Sequence, residues 1–157
     1  MGQNKYVMLH SLLRMFAALL ALVIFVSMFI ATQIYHAEYS NVTFTWNETF
    51  FGDGFYKAVP FGFIGYLFII IGGLAGLAFV FIDEMIGKDL TKKLSFGVGA
   101  AMVVGGALIL LNGVFFRAIN QVSFDYRLAA GPIVFGILGI LAGACNVAAP
   151  ILEDKGL

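Results

Sequence analysis

Two histidines, one cysteine and a few acidic pairs are the residues here with the chemistry to turn over a substrate or hold a metal. A hydrolytic or metal site needs an imidazole close to a carboxylate or to further ligands. His10 precedes the first long apolar run and His36 follows it, so a bilayer would separate the two. Cys145 is the sole cysteine, which excludes an intrachain disulfide and a thiolate cluster; its apolar setting makes it a small packing residue. Asp83-Glu84 is suited to metal-assisted chemistry at an interface, but no histidine or basic phosphate clamp flanks it. HExxH, CxxC, P-loop and GxSxG arrangements are missing from the chain. The expectation is a protein that is not an enzyme and uses no cofactor or metal. A membrane-embedded lipid-modifying enzyme is the most distant alternative.

Carriers and channels keep ionisable or clustered polar groups at depth, where they are costly and persist only for a use. Within the apolar runs the clearest polar groups are Asn112 and Asn146. They fall at different depths, so one shared ion is disfavoured and interhelical hydrogen bonding is the expected role of each. Arg14 lies within a turn of the inner end of its run and is expected to snorkel to the interface. These features disfavour proton-coupled transport and leave a small transporter or channel for a neutral or apolar solute as the runner-up.

The elements that position these residues are membrane spans. Of 157 residues, 61% are hydrophobic and 11% charged, less than half the ~25% charge of soluble domains. About 20 apolar residues cross a bilayer core, and four stretches qualify: 12–34, 59–82, 94–116 and 132–152. The fold class is therefore an all-α membrane protein, a single-domain four-transmembrane-helix bundle. The first span is read as a retained signal anchor, because its apolar run exceeds a signal-peptide core and no clean cleavage site follows. Lys5, Arg14, Lys88, Lys92, Lys93 and Lys155 flank one side; Lys57, Arg117 and Arg127 flank the other. Positive residues favour the cytoplasm, which predicts both termini inside and localisation to the plasma membrane. Zero formal net charge gives a nucleic-acid partner no electrostatic support.

Thirteen of the 19 glycines lie in spans two to four, many in alternating steps of three and four. The second span carries Gly62, Gly65, Ile69, Gly72 and Gly76. The third carries Ser95, Gly99, Met102, Gly106, Ile109 and Gly113. The fourth carries Pro132, Gly136, Gly139, Gly143, Asn146 and Pro150. Such spacing keeps one face toward a neighbour, and small residues let helix backbones approach closely where lipid supplies no hydrophobic drive. These glycines are candidates for packing inside the bundle or for docking a membrane partner. The first span has only Ala17, Ala21 and Ala31 on a similar track and is expected to pack less tightly. Proline-led starts and acidic ends shared by spans two and four suggest a weak internal duplication.

The first outer loop, 35–58, holds eight aromatics. Alternation over Val42–Trp46 predicts a short strand, and Phe51-Gly52-Asp53-Gly54-Phe55 supplies turn chemistry, so a small hairpin cap is expected. Phe44, Trp46, Phe50, Phe51 and Phe55 form a candidate outer recognition patch, against the plainer reading of an interfacial aromatic belt. Asn41 and Asn47 begin glycosylation sequons. Arg117, Asp125 and Arg127 in the second outer loop are expected to pair with one another or with lipid phosphate. The layout resembles the claudin and peripheral-myelin type of tetraspan, with Trp46 and the Asn41 sequon in its larger first loop. That family's Gly-Leu-Trp element and paired loop cysteines are absent, so the resemblance implies topology alone. The function expected is a structural, assembly or accessory subunit, bound to the bilayer and to another membrane protein or a second copy of itself.

Overall fold

A computed structural model of the chain describes residues 3–122 and 125–154, with side chains for all of these except 3–8, Asp83 and Glu84. Lys155 and the side chains of Lys5, Asp83 and Glu84, invoked above, lie outside the described set. Four long helices dominate: α1 (Gln3–Met28), α3 (Phe61–Ile86), α4 (Lys88–Asn120) and α5 (Ala130–Asp154). Between α1 and α3 come β1 (Ile34–His36), β2 (Thr43–Phe44) and a short α2 (Trp46–Phe51), and β3 (Tyr126–Leu128) separates α4 from α5. Each long helix is long and apolar enough to span a membrane. Their outward faces carry Leu19, Val23, Ile71, Leu74, Val104, Leu111, Ile137 and Leu141, all exposed. Such an apolar exterior calls for lipid as its solvent.

The helices form a ring in the order α1, α3, α4, α5, with α1 packed on α3 and α5 and diagonally opposite α4. Every member of the three glycine-containing stripes is buried, so the alternating three-four spacing marks the inward faces. In α1 the inward face is Ala17, Ala21, Ile24 and Met28, all at 0% exposure. Gly73 of α3 abuts Ala21.

Helix ends depart from the sequence expectation in three places. The first span does not run to Ile34; α1 stops at Met28, and Ile34 enters β1. Gln33 brings this about by donating from Nε2 to the carbonyls of Met28 and Ala31, both at 3.2 Å, which satisfies acceptors left open at the helix end. The expected loop over 83–93 also shrinks. Helix runs to Ile86 and resumes at Lys88, leaving Gly87 at φ 85° as the stop between them, a backbone conformation that glycine adopts without penalty. At its other end α4 continues past the expected span to Asn120. At 1.5 Å per residue, a helix of 33 residues is about 50 Å long and overshoots a ~30 Å hydrocarbon core.

One end of the bundle carries the start of α1 and the end of α5, here the termini end; the other is covered by a three-stranded antiparallel sheet of order β2-β1-β3. Ile34 pairs with Phe44 on one side and Leu128 on the other. The hairpin of the first connecting segment is therefore joined to the second. This third strand is too short for its pattern to be read from sequence.

Candidate functional site: an aromatic cap and a buried charge clasp

At the sheet end, four rings pack mutually. Phe44, Tyr56, Phe116 and Tyr126 come from β2, the turn after α2, α4 and β3, and all six centroid separations lie between 5.0 and 5.9 Å. The Tyr56 and Tyr126 hydroxyls share a 2.7 Å hydrogen bond. That bond, then burial, then the neighbouring charges of Tyr56 and Asp125 push the Tyr126 hydroxyl up to about 12, so it stays protonated at any physiological pH. A second aromatic line runs along α2: Trp46 meets Phe29, just past the end of α1, edge-on at 4.9 Å, and Phe51 meets Phe63 of α3 at 5.5 Å.

The predicted recognition patch divides. Phe44 and Phe50 are 6% and 1% exposed and belong to the core, because sheet pairing turns Phe44 onto the bundle and α2 drives Phe50 against Tyr66. Trp46 is half-buried. Phe51 and Phe55 alone project, at 56% and 95%. Phe55 is held on a built turn. Gly52 and Gly54 take φ of 83° and 92°, and the Asp53 carboxylate accepts from the backbone N–H of Phe55 (3.0 Å) and Tyr56 (2.8 Å). The turn is tied to α4, because the Asn120 side-chain oxygen accepts from the Lys57 N–H at 2.6 Å. Of the two sequons, Asn41-Val42-Thr43 is exposed throughout, whereas the Thr49 of the Asn47 sequon is buried.

Gln33, which no sequence pattern marked, joins α1, β2, α3 and the link between β3 and α5. It is 1% exposed. Its N–H donates to the Phe44 carbonyl (2.8 Å), its carbonyl accepts from Ala129 (3.0 Å), and its Oε1 accepts from the Tyr66 hydroxyl (3.5 Å). Gln33→Met should cost about 1.5 kcal/mol, within the ~1–3 kcal/mol for buried groups stripped of a partner. Thermal unfolding in detergent micelles checks it, and an unchanged midpoint would show that these bonds contribute nothing.

Asn112 and Asn146 are both 1% exposed, at opposite halves of the bundle, and each reaches another helix. Asn112 Oδ1 accepts from the Gly62 N–H (3.2 Å), a donor in the first turn of α3 with no intrahelical partner. Asn146 Nδ2 donates to the Met102 sulfur at 3.0 Å, and its amide packs on Gly76. Asn112 Nδ2 and Asn146 Oδ1 have no protein partner.

The candidate glycines lie in the seams of this one chain. Gly65 faces Gly105 across α3–α4; Gly106 faces Gly136, and Gly99 faces Gly143, across α4–α5. Gly72 meets Met102, Gly139 meets Ile69 and Gly113 meets Leu128.

At the termini end the structure corrects the expectation for Arg14. Rather than snorkelling outward, it is 1% exposed and points across the ring. Its Nη2 donates to Ser95 Oγ on the diagonal helix α4 (3.4 Å) and stands 4.0 Å from Glu153 Oε2 on α5. Lys88 approaches the other oxygen of Glu153 at 3.7 Å, and Lys92 pairs with Asp154. His10 and Thr91 are buried at the same end. His36 lies at the other end, in β1 beside Tyr126. Among the described residues, no three His, Cys, Asp or Glu side chains gather where a metal could be held.

Comparison with known protein families, with curated proteins and with solved structures finds no match to this chain.

Proposed function

We propose that this chain is a non-enzymatic structural, assembly or accessory subunit of the plasma membrane, with both termini cytoplasmic and the sheet end outside. It presents Phe51 and Phe55, with the edge of Trp46, to another membrane protein or to a second copy of itself. The observation that carries this reading is the mounting of Phe55. A ring left 95% exposed on a turn fixed by Asp53 and tied to Asn120 loses little freedom on binding, and exposed aromatics on rigid frames are what interface anchors are made of. The glycine faces are occupied by the chain's own helices, so docking falls to the aromatic end rather than to them. A small transporter or channel for a neutral solute is favoured only by the partnerless amide ends of Asn112 and Asn146.

Co-purification from native membranes in mild detergent, with native mass determination, tests the reading. A stoichiometric complex is expected, weakened about tenfold or more by the paired substitution Phe51→Ser, Phe55→Ser, as for loss of an anchor of ~2 kcal/mol. The unfolding midpoint should stay put for Phe55→Ser alone and fall only slightly for the pair, since both side chains are exposed and Phe51 loses just its edge contacts with Phe63 and Trp46. A monomer in native membranes, or a complex indifferent to these substitutions, overturns it.

A further inference from the structure

We propose that Asn41, on the turn between β1 and β2, carries an N-linked glycan and that Asn47 does not. The inference rests on the orientation proposed above, which puts the sheet end outside, on the face where lipid-linked oligosaccharide donors are presented. The acceptor is the carboxamide nitrogen of an Asn followed two residues later by Ser or Thr, with any residue but Pro between. Asn41-Val42-Thr43 and Asn47-Glu48-Thr49 both meet that pattern, and the fold treats them differently.

Residues 38–43 are all exposed. Backbone bonds alone close the turn: Val42 N–H donates to the Tyr39 carbonyl (2.8 Å) and His36 N–H to the Val42 carbonyl (3.0 Å). No hydrogen bond to the described residues engages the Asn41 amide. Thr43 stands on the exposed face of β2, opposite buried Phe44, so amide and hydroxyl are both open to an enzyme. At the second sequon Thr49 is 0% exposed. Its hydroxyl is shut away once α2 docks through Trp46 on Phe29 and Phe51 on Phe63. The Glu48 carboxylate accepts from Thr45 N–H at 2.7 Å, a local tie that favours early formation of α2. Asn41 therefore stays an acceptor before and after folding, whereas Asn47 is one only until α2 packs.

In the transfer, Nδ2 of Asn41 attacks the anomeric carbon of a polyprenyl-pyrophosphate-linked oligosaccharide. A C–N bond forms, the C–O bond to pyrophosphate breaks, and polyprenyl pyrophosphate leaves. The amide gives up one proton, and nothing is oxidised or reduced. The product guards a vulnerable place. β2 is an edge strand, and Tyr39 and Val42 before it are 62% and 41% exposed. Open edges invite pairing with another chain, which a bulky, hydrated sugar obstructs.

The test takes the full chain from its native membranes and reads, by mass spectrometry, peptides cut finely enough to separate Asn41 from Asn47. An oligosaccharide mass on the Asn41 peptide is expected, with the Asn47 peptide unmodified. Asn41→Gln and Thr43→Ala should each abolish the modification, Thr43→Ser should keep it, and Asn47→Gln should change nothing. In parallel, a membrane-impermeant amine reagent applied to intact cells should label Lys57, exposed at the sheet end, and spare Lys92 and Lys93 at the termini end. Lys57 labelled with Asn41 bare overturns the glycan and leaves the orientation standing. Lys92 and Lys93 labelled with Lys57 spared overturns both. A sugar on Asn47 in place of Asn41 overturns the assignment.

Discussion

A single methyl group added at Gly65 or at Gly105 should destabilise the bundle by about 3 kcal/mol, the top of the ~1–3 kcal/mol range for overpacking. A Cβ on Gly65 would stand 2.5 Å from the Gly105 carbonyl oxygen, and one on Gly105 would stand 2.6 Å from the Gly65 oxygen. The obstacle on each side is backbone, which cannot rotate away, so α3 and α4 must separate along their length. The α4–α5 seam repeats the arrangement: Gly106 is 2.5 Å by the same measure from the Gly136 oxygen, and Gly99 and Gly143 oppose each other at 2.8 and 2.7 Å. Gly72 differs, because its neighbour is the flexible Met102 side chain, which can repack; Gly72→Ala should cost less than Gly105→Ala. Gly97 has nothing within 4 Å, so Gly97→Ala should stabilise by up to about 1 kcal/mol through helix propensity alone. Unfolding free energies in micelles decide between these. Were Gly105→Ala and Gly97→Ala to behave alike, the close backbone seams would not be what holds the helices together.

These seams could be read from sequence because helix periodicity is local: Gly99, Met102, Gly106, Ile109 and Gly113 share a face whatever they touch. Gly105, one step off that stripe, escaped the pattern, yet it faces α3 while Gly106 faces α5; a central helix needs two small faces, and a single stripe describes only one. Partners remote in sequence were out of reach for the same reason. Gln33 reads as the polar tail of an apolar run, and only Tyr66 and Ala129, brought in by tertiary contact, make it a junction. The eight loop aromatics are alike in composition, so their division into core and surface waits on the register of β1 with β2, which turns Phe44 inward. Arg14 does not snorkel because α1 turns that face onto the bundle axis, whereas snorkelling needs lipid around the side chain.

Removing the carboxylate opposite that arginine should be the second large effect, and its asymmetry is the informative part. Breaking a buried ion pair by deleting one member costs about 3–5 kcal/mol when the charge left behind is buried, whereas replacing both members with apolar side chains of similar volume is often neutral. Glu153 is 22% exposed and 4.0 Å from the guanidinium, so Glu153→Gln belongs at or below the lower end, near 3 kcal/mol; exposed Lys88 contributes little. Glu153→Gln leaves Arg14 charged at 1% exposure with Ser95 as its remaining named partner at 3.4 Å, and its Nε has none to begin with. Arg14→Met removes the charge that needed balancing and leaves Glu153 22% exposed beside Lys88, where water and that cation balance it, so it should cost less than Glu153→Gln. The double substitution should recover most of the loss seen for Glu153→Gln. A double-mutant cycle measured in micelles yields this coupling directly. If Arg14→Met proves the more damaging of the two, the guanidinium would be acting as packing and as the bridge between α1 and its diagonal neighbour α4, and Glu153 would be a bystander. Either ranking bears on how the bundle interior is held, because Arg14 donates across it to Ser95 of the diagonal helix α4, while at the other end β1 and β3, which follow α1 and α4, pair directly.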